Sequence, residues 1–392
     1  MQNLEDYTSP DAWQELERYL GVAIRSELSR HIDRLARQGQ KLFLNLRSIQ
    51  SLPALEDFGR QLLNFRTSYL RTETAVDFYA DAINTRTNKE IGALLRACDF
   101  IARKSMTDLL DKLHKPTPPV LCYLDDGVGA SILKAGLRFP GGPIENPAAT
   151  IKVVHHNLYR PTSLIHEAGH QVAHILGWNR ELAASLEQAL GKYDSEVAET
   201  WGSWASEIAA DTFAFVHTGY GSVAALHDVV DGGASKVFRF LPGDPHPIAY
   251  IRVLLGTSMC TALWGKGPWD ELALAWQHRY PLNQKQLHVF ELLNKSLPLL
   301  PKAVETCLMT PMRSFGGQNL IQHINPERVK PESLAELERS AGKALFHSEH
   351  WVQTEALRLL ALTALRCATL PDEALSTYRQ QRAWMLKLGG II

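Results

Sequence analysis

The stretch that most constrains this chain is Pro161-Thr-Ser-Leu-Ile-His166-Glu167-Ala-Gly-His170-Gln-Val-Ala-His174-Ile-Leu-Gly177. Leu164, Ile165, Val172, Ile175 and Leu176 supply apolar positions, Pro161 and Thr162 suit a helix start, and Gly177 suits a stop. On a helix, residues four apart stack on one face, so the imidazoles of His166 and His170 can reach one metal ion while Glu167 borders its open position. Two neutral nitrogen ligands, a third ligand from elsewhere and a carboxylate that takes a proton from water are what zinc-assisted hydrolysis requires. A core helix with two satisfied histidines gives the same pentapeptide, so the third ligand decides.

The 392 residues suffice for one large domain or several smaller ones with a substantial core. With 45% hydrophobic and 21% charged residues and a net charge of -1, nothing indicates disorder or a nucleic-acid partner. Five scattered cysteines without a CxxC pair argue against a disulfide framework and against a thiolate zinc site. The N-terminal Met-Gln-Asn-Leu-Glu-Asp-Tyr has no secretory pattern. The apolar segment from Trp351 to Leu370 is interrupted by Glu355, Arg358 and Arg366, so no membrane span is expected. A cytoplasmic location follows as the expectation, with the oligomeric state left open.

Helical periodicity runs from Asp11 to about His114, with Leu16, Tyr19, Leu20, Ala23 and Ile24 opening it and Pro53 and Asn84–Asn88 interrupting it. Lys115-Pro-Thr-Pro-Pro119 marks a boundary, because prolines at that density end helices. Val120–Leu124, ended by Asp125-Asp-Gly127, reads as a strand; 136–147 is rich in glycine and proline, and Ala149–Tyr159 reads as a second strand. An edge strand beside a metal site can hold an extended peptide by main-chain pairing. His155 and His156, adjacent in such a strand, would face opposite sides, so at most one could reach the site. The segments are therefore 1–115 helical, 116–255 catalytic core and 256–392 helical. In the last, apolar or helical stretches fall at Ala262–Leu272, Leu287–Leu300, Leu334–Leu345 and Glu355–Leu370. The fold class expected is mainly α (α+β), with a small sheet beside the His166 helix and helical regions on both flanks.

A long helix is expected from about Asp194 to Val216, with Glu199 or Thr200, Ser203, Glu207 and Asp211 along one face. Acidic residues on a helix otherwise rich in Ala, Trp and Phe either form a solvated face or serve the metal. In the second case Glu207 is the third ligand, and Asp211, one turn on, accepts a hydrogen bond from a ligating histidine. His174 lies about 6 Å beyond His170 along a straight helix, too far to share the ion easily. Leu176 occupies the position where one class of zinc peptidases has a third histidine, which excludes that class. Glu196, Glu199 and Asp211 stay open as ligands.

His166-Glu167-Ala-Gly-His170 followed by Glu207-Ile-Ala-Ala210-Asp211 resembles the gluzincin pairing of HExxH with a downstream ExxAD helix. Gly243-Asp-Pro-His246-Pro247-Ile-Ala-Tyr-Ile-Arg252 is similar to a segment of the CAAX-prenyl-protease and heat-shock membrane protease group, although Pro245 departs from it. The resemblance spans about Thr162 to Arg252 and implies a zincin-like core in which His166, His170 and Glu207 bind Zn2+ and Glu167 is the general base. It further implies that Asp211 orients a ligand, that His246 and Arg252 line the site, and that His246 can stabilise the oxyanion. That group is membrane-embedded, whereas no span is read here. Tyr220 and Tyr250 are further candidates for oxyanion contacts. The activity expected is zinc metallopeptidase action, most simply endopeptidase, on a peptide or protein substrate. The alternatives are a signal-controlled peptidase cutting one specific protein, and a catalytically silent zinc-stapled protein that binds a partner.

Overall fold

The computed structural model describes residues 13–14, 17–18, 21–126, 130–138, 144–158, 160–283 and 289–391. Leu16, Tyr19, Leu20, Gly127, Tyr159, Leu287, the stretch 139–143 and the His156 side chain, all named above, lie outside the described residues. The described chain is mainly helical, with one small sheet. Among the described residues no helix is long and apolar enough to cross a membrane.

The chain forms two compact units, and the first comprises Met1–Gly92, Pro118–Leu124 and Leu133–Ile151. Helix α1 (Ala23–Leu46) buries Ile24, Leu28, Ile32 and Leu35 on one stripe. Helix α2 (Leu52–Asn84) starts where the Ser51 hydroxyl accepts from the Ala54 amide and Pro53 fills the first turn. Its last turns bury Ala75, Val76, Tyr79 and Ala82 with Leu121, Ile144 and Ala148. The Tyr79 hydroxyl donates to the Asn146 side chain, whose amide in turn donates to Leu133 O at 2.8 Å. Strands β1 (Val120–Asp125), β2 (Ser131–Leu133) and β3 (Ala149–Val154) pair in the order β1-β3-β2. Strand β3 stops sooner than expected: His155–Asn157 form a 3-10 turn, because the β-branched run ends at Val154.

The second unit comprises Ala93–Thr117, Asp125–Ile132 and Lys152–Ile392, and takes most of helix α3 (Lys89–Leu110). Helix α4 (Ser163–Leu176) carries the histidine pair and ends at Gly177, whose φ of 68° only glycine adopts freely. Helix α5 (Trp178–Leu190) follows at once, burying Trp178, Leu182, Leu186 and Leu190. The single helix expected over 194–216 is two, α6 (Ser195–Ser203) and α7 (Ala205–Thr218). Tight i to i+3 bonds, Trp204 N to Trp201 O at 3.2 Å and Glu207 N to Trp204 O at 3.0 Å, turn the chain at the buried Trp204. Glu199 and Ser203 on α6 are therefore solvent-exposed, while Glu207 on α7 is buried.

Helix α8 (Tyr220–Val230) and helix α9 (Ala249–Trp264) pack against α7. The apolar run expected over 262–272 is divided by Gly265, at φ 71°, from helix α10 (Pro268–Arg279). The buried helix expected over 355–370 is α11 (Ala356–Thr369).

The closest approach that matters is α4 on α7. A Cβ on Gly169 would lie 2.9 Å from Ala210 Cα and 3.0 Å from Phe213 Cβ, so only a residue without a side chain fits there. Gly169→Ala is expected to destabilise the protein by about 1–3 kcal/mol in urea denaturation, because the backbone of α7 must move to admit the methyl.

Candidate metal centre

The α4–α7 crossing sets His166 and His170 opposite Glu207. His170 Nε2 lies 3.1 Å from Glu207 Oε1 and His166 Nε2 lies 3.5 Å from Glu207 Oε2. The two rings stand nearly edge to face, with centroids 4.7 Å apart. One ligating atom from each of the three residues lies within 4.8 Å of the others. A tetrahedral zinc with ligands at about 2.0–2.2 Å separates its donor atoms by roughly 3.3 Å, so these spacings fit the ion.

The other ring nitrogens point away from that convergence. His166 Nδ1 meets Asp211 Oδ1 at 2.8 Å, and His170 Nδ1 meets the Ser206 hydroxyl at 3.5 Å. Such partners fix ring orientation and leave Nε2 of each ring free to ligate. Arg252, from α9, holds the carboxylates: its Nε donates to Asp211 Oδ2 at 2.5 Å, and one terminal nitrogen donates to Asp211 Oδ1 at 2.9 Å and Glu207 Oε2 at 3.0 Å.

These charges shape one another. Burial opposes charge on His166, but Asp211 and Glu207 outweigh it and the imidazole is pushed up to about 9. Burial would also raise Glu207 and Asp211, yet the histidines and Arg252 hold Glu207, and Arg252 and His166 hold Asp211, below the usual carboxylate range. Glu167, 7% exposed, is raised by burial against the opposing pull of His166 and His170. A metal would replace the proton on His166, so its binding releases protons and strengthens with pH.

A cavity of about 260 Å³ opens beside these groups. His166, Glu167, Glu207, Asp211, His246 and Arg252 all line it, and its far wall is apolar, from Phe215, Val223, Leu226 and Met259. His246 is the most solvent-accessible of the site residues: its side chain is 60% exposed, Nδ1 pairs with Asp244 at 2.6 Å, and Nε2 lies 3.7 Å from Glu207 Oε1. Tyr220 and Tyr250 are buried in aromatic packing, against Trp269 and Phe238, and neither lines this cavity. Glu196, Glu199, His155 and His174 are solvent-exposed, and none of them lines it either.

Three roles were not read from the sequence. Ser206 orients His170, Gly169 with Ala210 sets the helix spacing, and Arg252 clamps carboxylates. Only the small residues had a signal, since Ala168-Gly169 and Ala209-Ala210 stand within the two motifs.

Arg252 is 9% exposed, and removing it leaves Asp211 and Glu207 buried without their cation. Arg252→Met is expected to cost about 3–5 kcal/mol in chemical denaturation. Adding Asp211→Asn to that variant should recover part of the loss, because it removes one stranded charge. Comparison of the chain with family models, curated protein sequences and solved structures finds no match.

Proposed function

We propose that this protein is a zinc-dependent metallopeptidase of gluzincin type with a zincin-like core, and that its substrate is a peptide or protein. The observation that carries the reading is the convergence of His166 Nε2, His170 Nε2 and the Glu207 carboxylate beside a cavity that Glu167 also lines. A zinc ion held there by His166, His170 and Glu207 would supply Lewis acidity toward a carbonyl and would lower the pKa of water to about 7.

The chain's own residues do the remainder. Glu167, whose carboxyl is raised by burial, takes a proton from the attacking water and returns it to the leaving amine. Asp211 and Ser206 keep the imidazoles turned toward Glu207, and Arg252 keeps both carboxylates in place. Arg252 is thus a positioning residue, engaged with protein groups. His246 stands at the mouth, where an Nε2 proton would donate to a developing oxyanion. A purely structural metal gives no reason to bury Glu167 in the same cavity, which favours hydrolysis over a staple.

Glu167→Gln keeps shape and removes the base. The variant is expected to retain zinc and to cleave an unfolded protein such as casein at least about 100-fold more slowly. Equal rates for variant and wild type would remove Glu167 from the mechanism.

A further inference from the structure

Helix α7 carries the metal-site carboxylates in its first turns and His217 near its other end. His217 is 4% exposed, and its Nε2 has no hydrogen-bond partner. It lines a second cavity, of about 570 Å³, which shares no residue with the first. A buried imidazole nitrogen without a partner is costly unless something outside the chain completes it.

The charges around the cavity indicate what that is. Arg328 and Arg358 share a single carboxylate, Glu355, at 3.5 and 3.4 Å. Arg358 is otherwise fixed on the carbonyls of Arg328 and Ser333, both at 2.9 Å. Lys112 donates to the carbonyl of His323, and among the described residues it forms no ion pair with a carboxylate. Lys104 is matched by Asp108 at 3.6 Å, and Asp111, the remaining carboxylate of the lining, is solvent-exposed. The lining as a whole therefore carries four cations, Lys104, Lys112, Arg328 and Arg358, against three carboxylates, Asp108, Asp111 and Glu355, and its excess positive charge lies on the exposed side chains of Lys112 and Arg328. His217 registers the same field: burial first, and then Arg328, Lys112 and Lys104, push its imidazole down to about 3, so it stays neutral and offers a ring proton.

We propose that this cavity binds a small oxyanion-bearing molecule, a phosphate or polycarboxylate compound, with His217, Lys112 and Arg328 as its donors. The volume is that of a small-molecule site, too confined for a folded partner. Charge-assisted bonds from Lys112 and Arg328 supply affinity, while the His217 donor reads the position of one oxygen. The site is independent of the peptidase reading, since none of its residues touches the metal centre.

Isothermal titration of inorganic phosphate and of succinate into the full chain, in chloride buffer of matched ionic strength, tests the proposal. Saturable binding of either ion is expected, weakened about tenfold or more by Arg328→Gln and by His217→Phe. Arg328 is 56% exposed, so its variant should fold, and circular dichroism checks the His217 variant. Phosphate alone binding identifies a phosphoryl ligand, and succinate alone a carboxylate ligand. No saturable binding up to ~10 mM of either ion would overturn the proposal. Affinity unchanged in both variants would do the same, since the heat would then arise elsewhere, as at the metal centre.

Discussion

The structure of the site depends on one close contact between two helices. Gly169 lies against Ala210 with no room for a Cβ, and this brings α4 and α7 close enough for histidines on one to meet a carboxylate on the other. Each helix carries its small residue one position from a functional one, Gly169 beside His170 and Ala210 beside Asp211. Packing and chemistry are therefore set by the same few residues. A larger side chain at either position separates the helices and the donor atoms together.

The second requirement is electrostatic. Glu167, Glu207, Asp211, His166 and Arg252 line one small cavity, mostly out of water. Isolated charges there would be prohibitive, and the cluster holds because Arg252, Asp211, Glu207 and His166 are matched to one another. Arg252 binds two carboxylates, Asp211 also binds an imidazole, and Glu207 faces both histidines. Glu167 has less compensation than the other carboxylates, and burial raises it while they are lowered. In the proposed reaction, that contrast would keep Glu207 and Asp211 as anions and leave Glu167 as the group that exchanges a proton.

What could be read in the sequence follows from the range of the interactions. Helix α4 was legible because its period, its glycine stop and the two-histidine spacing are all local. Glu207 and Asp211 stood out as acids in an apolar helix. The turn at Trp204 was not legible, since a one-residue break leaves the helical phase nearly intact. The end of β3 at Val154 and the brief strand β2 depend on pairing partners far along the chain. The hold of Arg252 on Asp211 and Glu207, 41 and 45 residues away, and the cavity around His217 exist only once α7 has its neighbours.

The most direct test of the account is the zinc content of the purified full chain, measured by mass spectrometry for wild type and Glu207→Ala after equilibration with zinc and removal of excess. The account requires about one zinc per wild-type chain, as a site with three protein ligands binds, and a sharp loss in the variant. Absence of zinc from both would contradict it, leaving His166 and His170 as members of a packed, charge-matched helix pair with no part in hydrolysis.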